Sequence, residues 1–104
     1  HVRHPNIALF HGAVIQGKGD CGEGPVLLVM EIVAGVLLVK FLQANRFWEV
    51  RKHDDAREAV MSGVCCALHY LHSRKPCVVH GDIKPTNIHA ELREIGPFAK
   101  LLDF

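Results

Sequence analysis

The stretch His80-Gly81-Asp82-Ile83-Lys84-Pro85-Thr86-Asn87, with Asp103-Phe104 sixteen positions after Asn87, decides how the rest of this chain is read. It gathers a carboxylate, an ammonium and a carboxamide in one short loop and places a second carboxylate at the end of a strand-like run over 98–102. Phosphoryl transfer calls for that set. Its loose transition state asks a protein mainly for positioning and charge neutralisation: a carboxylate at the attacking hydroxyl, a cation on the moving phosphoryl group, and oxygen ligands for magnesium. Taken alone, Asp82 would be read as a loop-capping residue. Lys84, Asn87 and Asp103 around it favour the chemical reading.

Upstream of this loop, the spacing predicts one long helix starting at Asp54 or Asp55, with Glu58 placed to reach back to an Asp55 cap. Ala56, Val60, Val64, Leu68 and Leu71 fall on one stripe at spacings of four, four, four and three, which marks a buried face. The helix is expected to end near His72 and Ser73, with Pro76 just beyond. Residues 7–15 and 26–33 are apolar runs that read as strands, the second as a central strand buried on both faces. Between them, residues 16–25 hold four glycines and read as an exposed loop. A short helix is expected over 37–42 and a connector over 45–53. Short strands are expected over 77–79 and 88–90, with a Gly96-Pro97 turn before the last strand. The fold class is α+β, in one domain.

At 104 residues the chain has room for a single core. Its composition, 49% hydrophobic and 22% charged, is that of a globular protein. Twelve Lys and Arg are scattered among eleven acids, for a net charge of +1, so no basic stripe points to a nucleic-acid partner. No apolar run reaches the ~18 residues of a membrane span. Cys21, Cys65, Cys66 and Cys77 lack the spacing of a structural zinc site and read as reduced thiols in the cytoplasm, with Cys65 and Cys66 as small packing residues. His69 and His72, at i, i+3 without a third ligand, read as packing or surface residues rather than a metal pair. Both ends of the chain read as cut within a longer protein.

The loop at 80–87 with Asp103-Phe104 resembles the catalytic loop and metal-binding triplet of eukaryotic-type Ser/Thr protein kinases, with Lys84-Pro85 matching Ser/Thr rather than tyrosine kinases. Further motifs follow in the family's order. His4-Pro5-Asn6-Ile7 with Leu9-Phe10 and Gly12-Ala13 resembles the start of the fourth kinase strand in the tyrosine-kinase-like group. Val29-Met30-Glu31-Ile32-Val33-Ala34-Gly35 resembles the fifth strand and hinge, and Tyr70-Leu71-His72 the end of the helix supporting the catalytic loop. The resemblance implies a partial kinase-like fold: N-lobe strands over 1–33, hinge and short helix over 34–42, and the start of the C-lobe over 43–104.

It also implies ATP and Mg2+ as cofactors and a protein Ser/Thr substrate. By position, Asp82 would be the base at the acceptor hydroxyl and Lys84 would touch the γ-phosphate. Asn87 and Asp103 would hold magnesium, and His80 would brace the loop from behind. Met30 would be the gatekeeper, backbone groups of Glu31 and Val33 would bond adenine, and His89 would floor its pocket. Phe104 would pack under a helix preceding the chain.

Some positions depart from the family. Gly81 replaces an Arg that in many kinases binds an activation-loop phosphate, so activation by that route is not expected. Val36 and Leu37 stand where a Gly and a polar residue often lie near the ribose, and His89 replaces an apolar residue. Gly17-Lys18-Gly19-Asp20-Cys21-Gly22 matches GxGxxG, but too few residues separate Lys40 from Asp82 for a phosphate loop and strand Lys in that register. Two other functions compete. His-Gly-Asp resembles the loop of aminoglycoside and choline phosphotransferases, against which Lys84-Pro85 and the motif at 4–7 stand. The other is a pseudokinase-like binding module without catalysis.

Overall fold

The computed structural model describes residues 2–15 and 24–102. Most of the expected glycine-rich loop, including Cys21 and the GxGxxG match, therefore lies outside the described residues, as do Asp103 and Phe104. In chain order the elements are β1 (Phe10–Ile15), β2 (Val26–Met30), β3 (Val36–Leu37), α1 (Leu38–Ala44), α2 (Val50–Ser73), a single 3-10 turn (Pro85–Asn87), β4 (Ile88–Arg93) and β5 (Gly96–Leu101). The fold is α+β, with two small antiparallel sheets: β1-β2, and a three-stranded sheet in the order β3-β4-β5.

The core forms where α2 lies on the β4-β5 hairpin. The apolar stripe of the helix behaves as its spacing predicts: Ala56, Val60, Val64 and Leu71 are buried, joined by Ala67, while Leu68 packs at the margin. Alternation along the hairpin turns Ile88, Ala90, Ala99 and Leu101 toward this stripe. His89, Glu91, Phe98 and Lys100 consequently share the opposite face. Each buried Val or Leu side chain contributes on the order of 1.5–3 kcal/mol, so this seam carries the fold.

Residues before β1 are stitched to the same hairpin. Ile7 forms a parallel bridge with Leu101, Leu101 N–H donates to Asn6 O (2.7 Å), Ala8 N–H to Leu101 O (3.0 Å), and the Asn6 amide to Ala99 O (2.8 Å). These contacts hold Ile7 and Ala8 in the core and shorten the first strand to Phe10–Ile15. The second run is a strand only to Met30, and its five residues are all exposed, not buried on both faces. Its described ladder has one partner, β1, and among the described residues no layer of the core covers either face of that ribbon.

α2 begins at Val50 rather than at Asp54 or Asp55, and its N-cap, Glu49, makes no side-chain cap bond. The start is instead held by packing. Trp48 meets Phe41 edge-on at 6.0 Å, Lys52 lies 4.5 Å over the Trp48 ring, and Trp48 N–H donates to Asn45 O. Phe47, by contrast, is exposed beneath Arg46. Residues 77–79 form no strand, because the backbone there is tied to the end of α2 through Val78 N–H and Leu71 O (3.0 Å). Gly96 and Pro97 open β5 and do not form the turn, which falls at Glu94-Ile95; Pro97 is tolerated because β5 is an edge strand. Cys65, Cys66 and Cys77 are free and exposed, so the packing role expected for Cys65 and Cys66 does not hold. Cys65 and Cys66 lie on the exposed side of α2, and Cys77 lies beyond its end.

Candidate active site

The loop between α2 and β4 places Asp82, Lys84 and Asn87 together. The 3-10 turn ends at Asn87, which is buried, and brings its amide against the start of the loop: Nδ2 donates to both Asp82 O and Asp82 Oδ2, each at 2.9 Å. Both amide donors are thereby directed at Asp82. Lys84 Nζ lies 3.4 Å from the same Asp82 Oδ2, with both side chains more than half exposed, so this pair contributes little to stability. An oriented carboxylate open to solvent is instead suited to receive an incoming hydroxyl.

His80 sits beneath the loop and is buried. Its Nδ1 accepts from Asp82 N–H at 3.0 Å, so the ring proton resides on Nε2, which donates to Leu102 O at 2.6 Å. Leu102 N–H in turn donates to Asn87 O at 2.8 Å. The residue immediately before Asp103 is thus fixed on both sides to the loop that carries Asp82 and Asn87. Asp103 itself lies outside the described residues. Gly81 has φ +84°, in the left-handed region that glycine adopts freely, and a Cβ there would meet nothing within 4 Å.

Carboxamide and carboxylate oxygens are the hard ligands that Mg2+ prefers. With both Asn87 amide donors engaged by Asp82, its Oδ1 is the group left to face a cation, so the donor set at this loop fits the ion.

The residues expected around a nucleotide base come together only in part. Met30 ends β2, and Glu31 and Val33 follow it in the segment before β3. Glu31, Ala34, His89, Glu91 and Lys100 line one cavity of about 180 Å3; Met30 and Val33 do not line it. Among the described residues, His89 Nδ1 is buried without a hydrogen-bond partner, a polar atom at a position for which the resemblance implies an apolar side chain. Val36 and Leu37 pair with Ala90 and His89 across β3-β4, so the positions near the expected ribose are built into the sheet. Two larger grooves, of about 480 and 600 Å3, run along α2 and contain none of the candidate residues.

A residue the sequence reading passed over is Lys100. Its Nζ lies 2.5 Å from Glu31 Oε1, and that oxygen also accepts from Leu9 N–H at 2.9 Å. The Lys100 ammonium holds the Glu31 carboxyl below the usual carboxylate range, against the opposing effect of partial burial. The one sequence signal was the alternation of Phe98 and Lys100 with small and apolar Ala99 and Leu101, which put Lys100 on the face away from the core.

Comparison with known proteins gives a consistent picture. The protein kinase domain family matches residues 1–104. U-box domain-containing protein 70 of Oryza sativa subsp. japonica is 36% identical over 104 residues, 99% of this chain and 11% of that protein. Serine/threonine-protein kinase CTR1 of Arabidopsis thaliana is 34% identical over 88 residues, 84% of this chain and 10% of its own length. Putative ribosomal protein S6 kinase alpha-2 of Caenorhabditis elegans is 35% identical over 104 residues, 97% of this chain and 12% of that protein. The chain spans about a tenth of the length of such relatives.

Proposed function

This chain belongs to the protein kinase domain family, and from that membership we propose that it serves, within the complete protein, ATP-dependent phosphoryl transfer to Ser or Thr hydroxyls of protein substrates. The observation that carries this reading is the linked cluster Asp82, Asn87, His80 and Leu102, which joins the loop carrying the carboxylate to the residue before Asp103.

In this reading Asp82 accepts the proton of the acceptor hydroxyl, and its carboxylate is held for that task by the Asn87 amide. Lys84 swings from its exposed contact with Asp82 to neutralise charge on the transferred phosphoryl group. Asn87 and Asp103 hold magnesium, which when bound neutralises the phosphate oxygens. Met30 stands as gatekeeper, backbone groups of Glu31 and Val33 bond the adenine, and His89 floors the pocket. Such a site sits in the cytoplasm, where ATP and reduced thiols are found.

The test is transfer of labelled phosphate from ATP by the full-length protein, offered protein, aminoglycoside and choline acceptors in parallel. Label is expected on protein Ser and Thr, and Asp82→Asn is expected to lower turnover at least ~100-fold through loss of general-base assistance and positioning. Turnover unchanged by Asp82→Asn, or label confined to the small molecules, defeats the reading.

A further inference from the structure

We propose that Lys100 is a positioning residue for nucleotide binding, acting through Glu31: the ion pair ties the hinge segment to the strand that leads to Asp103. The proposal rests on the kinase reading above, since it assigns the hinge segment to adenine.

The geometry is specific. Glu31 lies 69 positions from Lys100 in sequence, yet Nζ and Oε1 are 2.5 Å apart, with the two side chains only 20% and 24% exposed. Pairs as screened as this couple more strongly than exposed ones. Glu31 is held at three points: its N–H donates to Leu9 O (2.9 Å), its Oε1 accepts from Leu9 N–H, and Lys100 grips the same oxygen. The backbone of β5 on either side of Lys100 is anchored in turn, through Ala99 O to the Asn6 amide and through Leu101 to Asn6 and Ala8. Lys100 is therefore a short crosslink from the anchored backbone of β5 to Glu31, at the start of the hinge segment. It also shares a cavity wall with His89 and Ala34, so its removal would let the hinge segment drift relative to the floor beneath it. With its carboxyl held below the usual range, Glu31 stays ionised at neutral pH and the link is intact there.

The measurement is the dissociation constant of a fluorescent ATP analogue with Mg2+, in the full-length protein, for wild type, Lys100→Met, Lys100→Arg, Glu31→Gln and the double variant. Thermal unfolding and turnover are followed alongside. Lys100→Met and Glu31→Gln are each expected to weaken nucleotide binding by about 3- to 10-fold, the double variant by no more than either alone, and Lys100→Arg to restore most of it. A merely structural pair would lower the melting temperature while leaving the affinity of the folded protein as it was, and that result overturns the proposal. If Lys100→Met fails to fold, Lys100→Arg and Glu31→Gln carry the same comparison: affinity unchanged in Glu31→Gln overturns it. Turnover reports separately on the kinase reading. A wild type that binds nucleotide without transferring phosphate defeats that reading while leaving the affinity ratios to judge Lys100.

Discussion

His80 has both ring nitrogens engaged in a buried setting, donating to Leu102 O and accepting from Asp82 N–H. A phenyl ring of similar shape at that position would fill the space and satisfy neither group. His80→Phe is therefore expected to cost about 1–3 kcal/mol, the usual penalty for leaving buried polar groups unpaired, read as a lower urea midpoint at unchanged slope. A midpoint equal to wild type would mean that the bracing bonds are dispensable. Asp82, Lys84 and Asn87 lie within six positions of one another, so a tight loop suffices to gather them and their grouping was legible in the sequence. The Glu31–Lys100 pair was not. Nothing local links residues so far apart, and only the pairing of β4 with β5 beside residues 6–9 brings them into register.

At the scale of elements, the join between the segment after β2 and the three-stranded sheet turns on Gly35. Its φ of +87° lies in the left-handed region, and a Cβ there would collide with the Ala90 carbonyl on the central strand β4. Backbone cannot move aside as a flexible side chain can. Gly35→Ala is accordingly expected to lower stability by more than about 2 kcal/mol, combining a disfavoured φ with the clash, and to loosen the β3-β4 pairing. Amide exchange at Val36, Leu37 and Ala90 would report it: exchange as slow as in wild type would contradict this account. The stripe of α2 was legible because helical spacing alone puts Ala56, Val60, Val64 and Leu71 on one side. Its start was not. The acids at 54 and 55 offered plausible caps, but Trp48 packed on Phe41 extends the helix back to Val50.

Across the whole molecule, apolar surface is distributed unevenly. The seam between α2 and the β4-β5 hairpin is closed, whereas the β1-β2 ribbon exposes a run of large side chains, with Ile15 at 67% and Leu28 at 65%. Contiguous apolar surface of this kind promotes association. Replacing Ile15 and Leu28 together by Thr, which suits strands, is expected to change the stability of the 104-residue chain by no more than about 0.5 kcal/mol per site while reducing its self-association. Light scattering at matched concentration checks this; scattering that stays at the wild-type level would locate the sticky surface elsewhere. No helix among the described residues is long and apolar enough to cross a membrane.

The order of motifs along the chain, the composition of the loop at 80–87 and the buried stripe of α2 were determined by the sequence, because each depends on residues near one another and on the period of a helix. Tertiary structure alone decided that β2 is exposed, that α2 starts at Val50 and that Lys100 meets Glu31. Those outcomes depend on which distant segment lies alongside. Packing a helix over a hairpin settles that through contacts no local pattern encodes.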